Sequence, residues 1–170
     1  YPPIIIRQMD VLHAPWRIEY ILGPKKNTGN ASLFTQLAQS QDDAGNYVIT
    51  RSKHGFAVLN TYPYSGGHCL VAPYKQAGDL TDLDDDENMD LIRLILKTKK
   101  AIESSMKPDG FNIGLNLGTA AGAGITEHLH WHIVPRWAGD TNFMPAIGQT
   151  SILPEALSET ADKIRSAIEE

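Results

Sequence analysis

Three histidines stand at alternate positions, His128, His130 and His132, separated by Leu129 and Trp131 and followed by Ile133 and Val134. Side chains alternate across an extended chain, so the three imidazoles share one face and Leu129, Trp131 and Ile133 the other. The apolar face anchors the segment, and the imidazole face is displayed. Three core histidines in register would each need hydrogen-bond partners where valine needs none, which argues against a merely structural role. Two chemistries suit the cluster. Three imidazoles can hold zinc with an open fourth position. Alternatively, one imidazole is a nucleophile and its neighbours bind and neutralise the group it attacks, a route to phosphoryl or nucleotidyl transfer at neutral pH. The small-residue loop 118–124 just upstream favours phosphate chemistry, because its backbone N–H groups can approach phosphate oxygens closely.

These residues need a scaffold, and the pattern along the chain supplies one. Residues 1–29 mix prolines and glycines with isolated apolar residues, which describes an extended arm packing on the rest of the chain, residues 30–170. Leu33, Phe34 and Leu37 have helical spacing and predict a short helix ending near Ser40. Residues 47–51 and 55–60 read as a hairpin turning at Ser52-Lys53-His54, and residues 68–73 as a third strand closed by Pro73. A long helix capped by Thr81 and ending near Lys107 carries Leu91, Leu94, Ile95 and Ile102 inward. Its acids Asp84, Asp85, Asp86 and Glu87 answer the helix dipole. Two further strands span 111–117 and 128–135, and Pro154 opens a last helix striped by Leu157, Ala161, Ile164 and Ile168.

The whole is therefore expected to be an α+β fold, a mostly antiparallel sheet of about five strands flanked by helices. The chain has 170 residues, 42% of them hydrophobic and 21% charged, with a formal net charge of −5. Such a composition lacks the positive field of a protein that wraps a nucleic-acid backbone. A single cysteine, Cys69, leaves no disulfide framework and no multi-thiolate zinc site, and fits the cytoplasm. No run is long and apolar enough for a membrane span, and no signal-peptide order is expected. Cys69 falls on the opposite face from His68, so the two do not form a nucleophilic pair.

The sequence His128-Leu129-His130-Trp131-His132-Ile133-Val134 resembles the signature of the histidine triad (HIT) nucleotide-binding superfamily. The resemblance extends to Phe56-Ala57-Val58-Leu59-Asn60, Tyr62-Pro63-Tyr64 and Gly67-His68-Cys69-Leu70-Val71-Ala72-Pro73, similar to the family's nucleoside-binding strands. Ala14-Pro15-Trp16-Arg17 and Pro135-Arg136-Trp137-Ala138-Gly139-Asp140 resemble the branch of dinucleoside polyphosphate hydrolases and bacterial diadenosine tetraphosphate phosphorylases. The resemblance implies a HIT-like fold, a homodimer, and cleavage of an adenylyl polyphosphate at the α-phosphorus.

It also implies roles. His130 is then the nucleophile that carries the nucleotidyl group, His132 touches the same phosphoryl group, and His128 and His68 support them. Asn60 and Asn116 would contact ribose and phosphate, unless they are turn-forming asparagines. Gly122, Ala123, Gly124 and Ile125 would offer backbone donors, and Arg136 would screen the leaving polyphosphate or make a structural ion pair. Water or inorganic phosphate is the acceptor. No cofactor or metal is built in, though substrate phosphates can bring Mg²⁺.

Two departures stand out. Where many relatives carry a Cys-x-x-Cys for structural zinc the local sequence is Asn30-Ala31-Ser32-Leu33-Phe34-Thr35, and where many have Gly-Gln-Ser/Thr before the triad the stretch reads Gly122-Ala123-Gly124-Ile125-Thr126-Glu127. The missing glutamine supports an alternative, a nucleotide-binding regulatory protein with slow or vestigial catalysis.

Overall fold

In the computed structural model, the structure describes residues 31–140 and 155–169. The expected arm, the triad-branch motif near residue 14 and the opening of the last helix at Pro154 lie outside them. Five strands, β1 (Val48–Arg51), β2 (Gly55–Leu59), β3 (Cys69–Pro73), β4 (Gly110–Leu115) and β5 (Trp131–Arg136), form one sheet in the order β1-β2-β3-β5-β4. Every pairing is antiparallel. With helices α1 (Leu33–Gln39), α2 (Asp85–Met106) and α3 (Leu157–Glu169), this is the expected α+β architecture.

The period of two sorts the sheet into two apolar layers. Ala57, Leu59, Cys69, Val71 and Ile133 face α2 and α3, where Leu91, Leu94, Ile102, Ala161 and Ile164 close the main core. Phe56, Val58 and Ala72 point the other way and pack with Phe34 of α1. The small α1 is therefore the only α-helix over its face among the described residues, and the cavity described below opens beside it.

The helix boundaries correct one expectation. Thr81 does not cap α2: Asp79 caps a single 3₁₀ turn at Leu80–Asp82, and Asp84 caps α2 through a reciprocal box with Glu87. An aspartate accepts N–H bonds as a threonine does and adds charge to the dipole's positive end, so the acid-rich stretch supplies its own caps. Lys107 ends α2 in the left-handed region at φ +51°. The triad strand also begins later than its pattern suggests. Leu129 N–H donates to Ala77 O at 2.7 Å, outside the ladder, and regular pairing starts at Trp131. Leu129, Trp131 and Ile133 still reach the main core, so the alternation survives the irregular entry.

Candidate active site

The triad meets α1 at a cavity of about 250 Å³. Its apolar wall includes Leu33, Phe34, Leu37, Val58, Leu70 and Ile125, and its polar end carries Asn60, His130 and His132. Among the described residues its lining holds no lysine, arginine, aspartate or glutamate. Such a site suits a flat apolar group at one end and, at the other, an anion met by imidazoles and amides instead of a full charge.

The imidazoles are graded by depth. His68 and His128 are fully buried, His130 is 8% exposed, and His132 is half-buried. The expected display of all three triad rings is therefore met by His130 and His132 alone, since His128 is held behind them under Phe34, 5.4 Å between ring centroids. Phe34 also lies 4.8 Å from the His130 ring, and His130 lies 5.1 Å from His132.

Hydrogen-bond partners fix each tautomer, because a carbonyl only accepts and a backbone N–H only donates. His130 Nδ1 lies 3.0 Å from His128 O, so Nδ1 carries the proton and Nε2 keeps its lone pair. At the other pair, Tyr64 N–H donates to His68 Nδ1 at 3.1 Å, and Asn60 Nδ2 lies 3.3 Å from the same atom. His68 must then donate from Nε2 to His132 Nδ1, 3.0 Å away. His132 consequently carries its own proton on Nε2. The site thus combines an imidazole lone pair on His130 with an imidazole N–H on His132. Burial pushes the pKa of His130 below the ordinary range, although its bond to the His128 carbonyl opposes this. Burial also lowers that of His128, against the pull of the Pro73 carbonyl. Both rings are neutral near pH 7.

These directions bear on the zinc alternative. His128 has both ring nitrogens engaged within the protein, Nδ1 with Ser32 Oγ at 2.6 Å and Nε2 with Pro73 O at 2.9 Å. The three imidazoles therefore do not converge on a common point, and no group of three or more His, Cys, Asp or Glu among the described residues is arranged to hold a metal ion.

The remaining expected residues divide. Asn60 lies in the cavity, and its Oδ1 accepts from Tyr62 N at 2.9 Å while its amide reaches His68. Asn116 is near the rim, where a Cβ on Gly122 would meet its Nδ2 at 3.9 Å. The loop makes a 3₁₀ turn at Thr119–Ala121, and Gly122 leaves it at φ +88°, a conformation glycine permits. The N–H groups of Gly122 and Ala123 bond Thr119 O and Gly118 O, so both amides close the turn instead of facing a ligand. Gly124 and Ile125 line the cavity, as does Gly122.

Arg136 is not brought to the histidines. It pairs with Asp140 and Asn112 at the opposite end of β5, and Asp140 raises its pKa. Cys69 sits on the far side of the sheet in the main core, where burial raises its thiol to about 12. His68 supports His132 and not His130, for which the carbonyl of His128 does that work.

Sequence reasoning missed three neighbours of the triad. Ser32 carried the N-cap signal of a serine before an apolar run, but nothing local tied it to His128, 96 residues away. Phe34 was legible as an apolar helix residue, not as the ring over two histidines. Tyr64, stacked on His68 at 4.9 Å, stood in the family-like Tyr62-Pro63-Tyr64 stretch, but nothing local assigned it to His68.

The HIT domain family model matches residues 41–139. That span holds all five strands and the whole triad, and the chain belongs to the HIT family. It is 42% identical over 159 residues to a protein named AP-4-A phosphorylase from Mycobacterium tuberculosis, covering 90% of this chain and 81% of that one. It is 35% identical over 105 residues to the asymmetrical bis(5'-nucleosyl)-tetraphosphatase of Schizosaccharomyces pombe, 62% of this chain and 57% of that one. Among solved structures, a zinc-bound histidine triad family protein from Mycobacterium smegmatis superposes with a TM-score of 0.66 at 26% identity, covering 82% of this chain and 94% of its own.

Proposed function

We propose that this protein cleaves diadenosine tetraphosphate and similar adenylyl polyphosphates by a two-step nucleotidyl transfer through His130, with inorganic phosphate as the preferred acceptor. The observation that carries the reading is the 3.0 Å bond from His130 Nδ1 to the His128 carbonyl, which leaves Nε2 as a neutral nucleophile at the polar end of the cavity. In the first step that lone pair attacks the α-phosphorus. A P–N bond forms, the P–O bond to the leaving polyphosphate breaks, and ATP departs with His132 Nε2–H stabilising the charge that develops. In the second step an oxygen of inorganic phosphate attacks, the P–N bond breaks, and ADP is released. Splitting one displacement into two lowers each barrier.

The nucleoside occupies the apolar wall beside α1, with Asn60 at the ribose. Phosphate as acceptor is supported by similarity to the mycobacterial phosphorylase across 90% of the chain. Any Mg²⁺ enters on the substrate phosphates. A homodimer in the cytoplasm completes the reading, supported by the family resemblance, the single cysteine, and exposed Ile113 on the edge strand β4.

Chromatography of products from diadenosine tetraphosphate, with and without phosphate, tests the function. ADP plus ATP formed only with phosphate supports it; AMP plus ATP without phosphate replaces phosphorolysis by hydrolysis. Saturable AMP binding without any turnover would leave a binding protein instead. A His130→Ala variant that turns over normally would remove His130 as the nucleophile.

A further inference from the structure

We infer that Ser32 is a positioning residue for the transfer step, holding the ring of His128 in one orientation through Nδ1 and through it fixing the acceptor that orients His130. This rests on the reading of His130 as nucleophile. Ser32 is 5% exposed at the N-terminus of α1, where its Oγ accepts from Thr35 N–H at 3.1 Å. The same Oγ lies 2.6 Å from His128 Nδ1.

The protons can be placed one by one. Pro73 O only accepts, so His128 Nε2 carries the ring proton and its Nδ1 is an acceptor. The Ser32 hydroxyl therefore donates to Nδ1. Thr35 Oγ1 donates to Gln76 Oε1 at 3.0 Å, and Ser32 N–H lies 3.3 Å from the same oxygen. Ser32 Oγ also lies 3.0 Å from Thr35 Oγ1, whose proton goes to Gln76, so the Ser32 hydroxyl proton goes to His128.

Without that hydroxyl, His128 would keep a buried acceptor with no donor, an arrangement that favours ring reorientation. The main-chain carbonyl of His128 is the group that receives His130 Nδ1–H, so movement of this residue is felt directly at the nucleophile. Phe34, two residues along α1, packs on both rings. The helix that walls the nucleoside cavity is consequently also the support of the triad. An error in His128 should affect the chemical step more than binding, because Ser32 does not line the cavity.

The experiment compares Ser32→Ala, Ser32→Gly and Ser32→Thr, using diadenosine tetraphosphate with phosphate for kinetics and nitrogen-15 NMR of the imidazoles in the full chain without ligand. Wild type should show His128 as the Nε2–H tautomer. Ser32→Ala and Ser32→Gly should keep that tautomer but lose the hydrogen-bonded shift of the Nδ1 resonance, and lower kcat about tenfold with KM within about twofold, and Ser32→Thr should restore both. Glycine caps a helix better than alanine, so equal losses in the two separate positioning from capping. Should both fail to fold, Gln76→Ala, at an exposed residue, should still broaden the His128 signal and lower kcat about threefold. An unchanged His128 Nδ1 resonance in Ser32→Ala, a change confined to KM, or losses that follow the melting temperature would overturn the inference. Full activity in His130→Ala would overturn the nucleophile reading while leaving the ring signature to report on Ser32.

Discussion

His68 Nε2 donates to His132 Nδ1 across 3.0 Å, and this contact determines that the free edge of His132 is a donor. The direction is set from further back, by Tyr64 N–H on His68 Nδ1. A buried histidine thus transmits the polarity of a backbone amide to a ring at the cavity. Replacing His68 with leucine should keep the volume but remove the donor, leaving His132 free to carry its proton on the wrong nitrogen. The expected outcome is a fall in kcat of about tenfold or more with little change in KM, measured by steady-state cleavage of diadenosine tetraphosphate. His68→Gln, whose amide nitrogen can donate, should retain more activity than His68→Leu. Equal activity of all three proteins would show that the tautomer of His132 is set elsewhere.

Phe34 joins the nucleoside wall to the chemistry, because it lines the cavity and lies 4.8 Å from the His130 ring. It is 2% exposed, so truncation to alanine removes a core ring as well as a binding surface. Unfolding in urea should show a loss of about 3–5 kcal/mol. KM should rise at the same time, and Phe34→Leu should recover most of the stability with only part of the affinity.

The fold was legible largely because its signals are local. Short apolar runs bounded by turn residues located β2 and β3, which are buried on both faces, and helical spacing located α1 and α2. The triad was legible for the same reason. Its supports were not. The partners of His128 are Ser32 and Pro73, and those of His132 come through His68 and Tyr64, all distant in sequence and brought together by the order in which β3 pairs β5. The misplaced cap at Thr81 had another cause: Asp79, Thr81 and Asp84 are all competent capping residues, and only the geometry of the 3₁₀ turn chooses among them. Of the two roles open to Arg136 in the sequence, the structure shows the ion pair, with Asp140, because four residues of strand carry it away from His132.

Cys69 provides a test of the sheet's sidedness. It is fully buried against α2 and α3, and burial raises its thiol to about 12, so almost no thiolate exists at pH 8. Incubation of the native protein with iodoacetamide at pH 8 should leave the intact mass and the activity unchanged. One alkylation should appear in urea, since Cys69 is the chain's single cysteine. Rapid modification under native conditions would contradict its placement in the core.

Acid should weaken the fold through the two deepest members of the triad. Burial lowers the pKa of His128 and of His130 in the folded chain, whereas in the unfolded chain both regain the ordinary value near 6.5. The unfolded state therefore binds more protons below about pH 6.5, and stability must decline as pH drops from there toward the lowered folded values. Above about pH 6.5 the contribution is complete and flat. Urea midpoints between pH 8 and 5 should show this slope, and His130→Asn, which removes one of the two titrating groups, should make it shallower. Activity follows a different course. The nucleophile stays neutral to a lower pH than a solvated histidine would, so kcat should hold as pH falls through 6.5 while stability is already declining. A kcat that halves at about pH 6.5 would mean that His130 titrates as a solvated ring.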